Sequence, residues 1–399
     1  MTAMPPQAPI LDLRPLMFET FVCTVAVMSF VALIGPVART LGLAPWQAGM
    51  TVTVGGIAWM LMARVWGIAS DRLGRRRVLL SGLAGFAVTY ALLCAFMALA
   101  LNTSMPPLPA FIGIVALRGL AGGFYAAVPA CSAALVADHV SAEKRAAAMA
   151  GLGAASAVGM VVGPSFAGLL AMLGLALPLL LTCLLPLLAL CMLWKWLPHH
   201  ERANERKGPA LAISDRRLRR SLTLGFIAMV CVTVAQMTVG FFALDRLRLP
   251  PADAARVAGI ALTSVGVALI CAQMLVRKLN WAPLRLIVVG GSVSALGFAT
   301  VCFAMVPWML YASCFVAAAG MGWVFPAVSA LNANAVEADE QGAAAGSLVA
   351  VHGMGMISGP LLGTLLHQVD SRAPYLLVAA LLLLAVAWAV LPRKRLNGM

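Results

Sequence analysis

Charged residues are scarce in this sequence of 399 residues, and acidic ones are the scarcest. Asp, Glu, Lys and Arg together make up 11% of the chain, with 14 acidic against 28 basic residues. A soluble fold of this length needs far more polar surface, so the composition excludes one. Apolar residues fill 62% of the chain, and its mean hydropathy is +0.96. The sequence therefore predicts an all-α membrane protein with many spans.

The signatures of enzymes, metal sites and nucleic-acid binding are also missing from the sequence. It contains no His-Glu-x-x-His or Gly-x-Ser-x-Gly motif, and the expected spans include one histidine, His352. The nine cysteines lie in apolar runs without metal-type spacing, so we expect no disulfide. The net charge of +14 could suggest nucleic acid, but the basic residues are spread over short loops. We expect no enzymatic activity, cofactor, metal or nucleic-acid partner.

Twelve apolar runs are long enough to cross a membrane, since a spanning helix needs about 20 apolar residues. The expected spans are 16–38, 46–68, 78–101, 109–137, 144–172, 175–197, 218–244, 254–276, 285–305, 308–334, 342–366 and 373–391. Of the 28 Lys and Arg residues, five fall on outer connections, one lies inside a span and the remaining 22 fall on the other side. Because Lys and Arg beside spans are retained in the cytoplasm, both termini are expected there, in an inner membrane.

The chain consists of two related halves. One motif occurs twice at an offset of 196 residues, as Gly159, Gly163 and Pro164, and again as Gly355, Gly359 and Pro360. Such repeats are typical of secondary transporters, although glycines four apart also serve helix packing alone. A charged polar segment separates the halves. We expect a six-helix bundle at 1–197, a cytoplasmic linker at 198–217 and a second six-helix bundle at 218–399.

A cationic loop joins the second and third spans, and it runs from Gly67 through Asp71 and Gly74 to Arg77. An ordinary cytoplasmic loop would explain its arginines but neither the acid nor the glycines. The loop resembles that between the second and third helices of the major facilitator superfamily, roughly Gly-x-Leu-Ala-Asp-Arg-x-Gly-Arg-Lys. The resemblance implies the twelve-helix major facilitator fold, in which two pseudo-symmetric bundles alternate access to a small-molecule substrate, and we expect a monomer in the lipid bilayer.

The Gly-Pro pair in the fifth span resembles a motif of the drug:proton antiporter branch, which includes tetracycline efflux proteins. The run that begins at Arg118 and Gly119 resembles the fourth-helix motif of the family, where the arginine is linked to proton transfer, but Ala121 replaces the usual Gln. The resemblance thus implies export in exchange for protons. The alternative for Arg118 is pairing with backbone carbonyls at a kink.

Glu19 is the one acid expected inside the membrane away from a helix end. A carboxyl group in a dry environment is able to take up and release a proton, so Glu19 and Arg118 are the expected proton-coupling residues. The alternative is that Glu19 is an acid at the membrane interface.

Six residues are expected to form a charge latch on the cytoplasmic side, and these are Gly67, Asp71, Arg72, Gly74, Arg75 and Asp138. Under the resemblance, Asp138 at the inner end of the fourth span pairs with Arg75, and Asp71 faces the positive end of the eleventh helix. Such contacts would favour an outward-facing state until a proton or substrate changes the balance. The alternative is ordinary loop electrostatics, worth about 1 kcal/mol or less when exposed.

Cargo is expected near the midplane between the halves. The polar or aromatic residues at suitable depth are Trp59, Tyr125, Gln236, Gln273, Trp323, Asn332 and His352, each of which could equally serve helix packing. The 22 methionines suit a deformable pocket for an amphiphilic molecule. We therefore predict a proton-coupled exporter of an amphiphilic small molecule or drug. Export of an endogenous metabolite such as a siderophore, proton-coupled import and a non-transporting membrane sensor stay open as alternatives.

Overall fold

The computed structural model describes residues 12–103, 105–140, 142–197, 215–279, 281–337 and 340–390. Within these residues, twelve helices are long and apolar enough to cross a membrane. The chain divides into two compact units, Met1–Arg206 and Lys207–Met399. The expected linker lies mostly outside the described residues, and so does the basic C-terminal tail.

The helices of the first unit are α1 (Arg14–Thr40), α2 (Pro45–Leu73), α3 (Arg75–Thr103), α4 (Pro107–Tyr125), α5 (Ala127–His139), α6 (Ala142–Leu170), α7 (Ala176–Thr182) and α8 (Leu184–Trp196). Those of the second are α9 (Arg219–Asp245), α10 (Pro251–Leu279), α11 (Pro283–Val301), α12 (Pro307–Ala333), α13 (Gln341–Val369) and α14 (Ala373–Val390). Five of the helices in the two units begin at proline. Proline is tolerated there because a backbone N–H in the first turn of a helix has no intrahelical acceptor.

Proline interrupts two of the expected spans. The span expected at 109–137 divides into α4 and α5, because Pro129 lacks the N–H that would bond the carbonyl of Tyr125 and its ring crowds that carbonyl. α4 accordingly ends at Tyr125. Pro186 breaks the sixth span in the same way after Thr182, between α7 and α8. The twelve expected spans are confirmed within the described residues, and two of them carry a break before these prolines.

α13 also extends past the expected end of the eleventh span at residue 366, since it continues to Val369. The additional turn carries His367, which is 5% exposed. The expectation of a single histidine in the membrane helices is therefore wrong. The polar pair His367 and Gln368 ended the hydropathic run in the sequence, although the backbone remains helical through both.

The repeated glycine motif lies on closely packed helices in both units. In the first, a Cβ added to Gly163 would lie 2.8 Å from the carbonyl oxygen of Val25, so α6 is in backbone contact with α1. The Ser29 hydroxyl donates to the Gly163 carbonyl at 2.9 Å. In the second, a Cβ added to Gly355 would lie 2.8 Å from the Cβ of Met229 on α9. The prolines of both motifs lie inside helices that continue past them.

Candidate functional site

The cationic loop is a tight corner between α2 and α3. Gly74 ends α2 with φ +93°, a conformation that residues with a Cβ rarely adopt, and Arg75 begins α3. Asp71 and Arg72 lie in the last turn of α2, where both are exposed. A Cβ added to Gly67 would meet nothing within 4 Å among the described residues. Gly74 is therefore required by the turn, whereas the surface of α2 beside Gly67 is open among the described residues.

Arg75 gathers the polar groups of this corner. Its Nε donates to Asp138 Oδ2 at 3.0 Å, and the side chains are 13% and 14% exposed. Its Nη1 donates to the Ser70 hydroxyl at 2.6 Å and also pairs with Asp71. Asp71 remains 59% exposed, so it can make a further interaction. The guanidinium thus ties the ends of α2, α3 and α5 together.

Arg76, to which the sequence assigned no individual role, closes the end of α8. Its Nε donates to the carbonyl of Leu197 at 3.1 Å, and its Nη2 donates to that of Trp194 at 3.0 Å. Trp194 lies in the last turn of α8 and Leu197 follows that turn, where backbone carbonyls have no intrahelical partner. The loop between the second and third spans therefore also holds the end of the sixth.

Glu19 is fully buried on α1, with no measurable exposure (0%). Its Oε2 accepts hydrogen bonds from the hydroxyls of Ser132 on α5 at 3.3 Å and of Thr20 at 3.4 Å. Its Oε1 is buried without a hydrogen-bond partner among the described residues. Because Oε2 already accepts two hydrogen bonds, a proton bound to Glu19 would be carried by Oε1.

Arg118 is buried on α4, and its guanidinium lies 5.2 Å from the ring centre of Phe30. The Arg118 side chain packs directly against α2 at Gly55, since a Cβ added to Gly55 would lie 2.9 Å from the Arg118 Cζ. Its Nε is buried without a partner among the described residues. Phe30 lies eleven residues after Glu19 on α1, or roughly 16 Å along the helix axis. Glu19 on α1 and Arg118 on α4, the two expected proton-coupling residues, therefore lie at different levels along α1.

Two of the expected cargo residues are engaged in contacts between helices. The Asn332 amide donates to the Ala344 carbonyl at 2.8 Å and accepts from the Ser221 hydroxyl at 2.7 Å, and the residue is 2% exposed. Trp323 donates its indole N–H to the Ala272 carbonyl at 3.2 Å. These polar atoms are already occupied, so the structure does not support Asn332 as a cargo ligand.

The other expected cargo residues have more open surroundings. Trp59 and Gln236 are half-buried, and Gln273 is exposed. Tyr125 is half-buried with its ring 4.9 Å from that of Phe86. His352 lies edge-on to the Phe325 ring at 5.8 Å, and its Nε2 is buried without a partner among the described residues.

A cluster of charged residues lies at the start of α9 and α13. Arg217 donates to both carboxylate oxygens of Glu340, at 2.8 and 2.9 Å, and to Asp215 at 2.9 Å. These hydrogen bonds hold the pKa of Glu340 and that of Asp215 below their usual values. The backbone N–H of Arg217 bonds the Asp215 carboxylate at 2.8 Å, and Arg14 bonds Asp12 likewise at 3.0 Å. An Asp-x-Arg pattern is a sequence signal that could have indicated the local contact of Arg217 with Asp215, but not its contact with Glu340.

Comparison of the chain with known proteins identifies its family. A family model of the Major Facilitator Superfamily matches residues 16–304 and 252–398. The chain belongs to the Major Facilitator Superfamily. It is 29% identical over 337 residues to the tetracycline resistance protein, class C, of Escherichia coli. The alignment covers 81% of this chain and 80% of that protein.

Two further comparisons agree with this membership. The chain is 24% identical over 365 residues to multidrug resistance protein 2 of Bacillus subtilis strain 168, covering 88% of this chain and 87% of that protein. The crystal structure of the human organic anion transporter MFSD10 (TETRAN) matches with a TM-score of 0.67 at 19% identity, covering 97% of this chain and 100% of that one. The chain is thus a multi-pass membrane protein with the major facilitator fold, related to drug efflux transporters, and its family transports small molecules.

Proposed function

We propose that this protein is a secondary active exporter, which moves an amphiphilic small molecule out of the cell in exchange for protons. The relatives named for tetracycline and multidrug resistance support export of a drug-like cargo. The bias of Lys and Arg supports an inner-membrane orientation with both termini in the cytoplasm. The candidates for contact with cargo are Trp59, Tyr125, Gln236, Gln273 and His352.

The observation that carries the proton part of this proposal is the setting of Glu19. The carboxyl is fully buried, it has no ion-pair partner among the described residues, and one of its oxygens accepts no hydrogen bond from them. An ionised carboxylate in such a place is costly, whereas a protonated one is neutral. Glu19 would therefore carry a proton in one conformation and release it in another.

Arg118 would act on this cycle from a distance. It lies against Phe30 on the helix that carries Glu19, so a movement of α1 changes the surroundings of both groups together. Its buried guanidinium has no carboxylate partner in the part of the chain that the structure describes, so it is available to attract the charge that appears when Glu19 or the cargo ionises. Its role is to link the proton to the conformation of the first unit.

The charged corner between α2 and α3 would hold one conformation of the transporter. Arg75 fixes the turn through Asp138 and Ser70, which leaves the carboxylate of Asp71 exposed at a defined position on the cytoplasmic side. The open space beside Gly67 fits a surface that another element approaches closely. The expected consequence is that Asp71→Asn slows transport without unfolding the protein.

Gradient-driven uptake of tetracycline into everted membrane vesicles tests the proposal. The parent protein is expected to accumulate tetracycline when the vesicle interior is acidic, and Glu19→Gln is expected to abolish that accumulation. Asp253→Asn is the matched carboxyl-to-amide control, since the Asp253 side chain is 45% exposed and pairs with Arg256 at 3.3 Å. Uptake by Glu19→Gln at the parental rate would overturn the role of Glu19.

The cargo is tested separately from the coupling. If tetracycline and other toxic compounds are not moved, profiling of extracellular metabolites with and without the protein tests export of an endogenous product such as a siderophore. Uptake that requires the opposite pH gradient would contradict export itself.

A further inference from the structure

A tryptophan and an arginine stack on each other at the start of α11. The guanidinium carbon of Arg285 lies 4.2 Å from the ring centre of Trp281, within the distance of a cation–π contact. Trp281 precedes α11 and is half-buried, whereas Arg285 lies in the first turn of that helix and is exposed. By the distribution of Lys and Arg, this end of α11 lies on the cytoplasmic side. The stack is therefore expected at the inner surface of the bilayer.

A second tryptophan supports the ring of Trp281. The ring of Trp323 on α12 lies 6.1 Å from it, in an edge-to-face arrangement at 73°. The indole N–H of Trp323 donates to the Ala272 carbonyl on α10 at 3.2 Å. Trp323 also packs tightly against α11, since a Cβ added to Gly290 would lie 3.0 Å from its Cβ. Trp281 therefore contacts a side chain that is fixed between three helices.

The hydrogen-bond donors of Arg285 are not used by the protein. Among the described residues, its guanidinium has no hydrogen-bond or ion-pair partner. The first turn of α3, the third span of the first unit, differs in this respect, because Arg75 binds Asp138 and Arg76 binds the Leu197 carbonyl. Stacking engages the face of a guanidinium and leaves the N–H donors at its edge. Arg285 therefore offers these donors to a group outside the protein chain.

The sequence around Arg285 is positively charged. Arg277 and Lys278 occur shortly before it, near the end of α10, and the sequence contains no Asp or Glu from 254 to 336. The inner ends of α10 and α11 therefore supply no carboxylate for the ammonium group of a zwitterionic ligand. A guanidinium instead fits two oxygens of a phosphate group. The chemistry favours a phosphate that has no cationic group beside it.

Exposed apolar side chains occur near the same ends of α10 and α11. Leu284 adjoins Arg285 and is 37% exposed, and Met274 and Leu275 near the end of α10 are 65% and 43% exposed. In a bilayer such side chains contact acyl chains, which are as apolar as leucine. A phospholipid carries its phosphate at the bilayer surface and its acyl chains below it. It therefore matches both the cation and the apolar side chains, whereas a soluble phosphate matches the cation alone.

We propose that Trp281 and Arg285 form a binding site for the headgroup of an anionic phospholipid in the cytoplasmic leaflet. Arg285 binds the phosphate through its free N–H donors, and Trp281 holds the guanidinium in position. The inference goes beyond the proposed function, since it depends on neither the cargo nor the proton.

Lipid titration of the purified full-length protein in detergent, followed by native mass spectrometry, tests the proposal. Phosphatidylglycerol is compared with phosphatidylcholine of the same acyl chains, whose phosphate carries a cationic group. The parent is expected to bind the first phosphatidylglycerol at least about fivefold more tightly, and Arg285→Gln is expected to lose most of this preference. Arg219→Gln is the matched control, because it removes an exposed arginine from the first turn of α9 on the same side of the membrane. Its preference is expected to equal that of the parent.

Three results would overturn the site. They are equal binding of the two lipids by the parent, a parental preference in Arg285→Gln, and an equal loss of preference in Arg219→Gln, which would show an effect of net charge alone. Glycerol 3-phosphate in excess is expected to leave phosphatidylglycerol bound, and displacement by this soluble phosphate would overturn the assignment to a lipid.

A second variant keeps the test decisive if Arg285→Gln does not fold. Trp281→Leu keeps the cation but removes the ring on which it stacks, so its preference for phosphatidylglycerol is expected to fall at least about twofold. A parental preference in Trp281→Leu would overturn the site. Because the titration uses neither cargo nor a pH gradient, failure of tetracycline transport would leave its result standing.

Discussion

Replacing Gly163 by alanine perturbs the closest backbone contact between α1 and α6. The added Cβ would lie 2.8 Å from the Val25 carbonyl oxygen, 2.9 Å from the Met28 Cβ and 3.3 Å from the Ser29 nitrogen. Two of these three atoms belong to the backbone and the third is a Cβ, so no side-chain rotation can relieve the contact. The helices must move apart instead.

The cost follows from two opposing contributions. Overpacking of a tight interface costs about 1–3 kcal/mol, and stretching the 2.9 Å hydrogen bond from Ser29 to the Gly163 carbonyl adds about 0.6 kcal/mol in a membrane protein. Alanine is better than glycine in a helix by about 1 kcal/mol, which offsets part of this. A net loss of about 0.6–2.6 kcal/mol remains, which corresponds to a decrease of roughly 1–10 °C in the unfolding midpoint of a unit of this size.

Thermal unfolding in detergent, followed with a dye that reacts with newly exposed thiols such as that of buried Cys23, measures the effect. Gly153→Ala is the matched control on the same helix, because a Cβ added there would meet nothing within 4 Å among the described residues. Its midpoint is expected to equal or exceed that of the parent. An unchanged midpoint for Gly163→Ala, or an equal loss for Gly153→Ala, would refute the packing argument.

Two further predictions concern charged groups. Removing either Arg75 or Asp138 leaves the other charge partly buried, so a double-mutant cycle with Arg75→Gln and Asp138→Asn should give a coupling of about 1 kcal/mol or more in thermal stability, and zero coupling would contradict the pairing. Because the pKa of Glu340 is lowered from 4.5, Glu340→Gln should reduce the midpoint at neutral pH, and the difference should disappear as the pH falls well below 4.5, where both states of the parent bind the proton. A difference that persists in strong acid would show that the effect is not electrostatic.

The sequence predicted the features that the bilayer imposes on any chain. Every backbone polar group must be paired inside the membrane, so long apolar runs become helices and their number is readable from hydropathy. The cationic loop from Gly67 to Arg77 was recognisable because glycines, which favour a turn, and a cluster of charged residues occur together within a few positions. The resemblance to the family rested on that loop and on the Gly-Pro pair of the fifth span, and the match to the family model confirmed it.

The contacts of individual side chains depend on how each helix is rotated, which hydropathy does not encode. Nothing in the pattern around Ser132 indicates that its hydroxyl reaches Glu19. Asn332 was selected for its depth and polarity, yet its amide joins three helices. The apolar run ended one residue before His367, so this residue, which lies within hydrogen-bond distance of Asp245, was placed outside the membrane helices.

Proton release on cargo binding tests the central claim most directly. Tetracycline is added to purified protein in a weakly buffered solution, and the pH change is compared with that of Glu19→Gln and of the control Asp253→Asn. If cargo displaces the proton from Glu19, the parent and the control release protons as tetracycline binds, and Glu19→Gln binds tetracycline without that release. Equal proton release by Glu19→Gln would contradict the account.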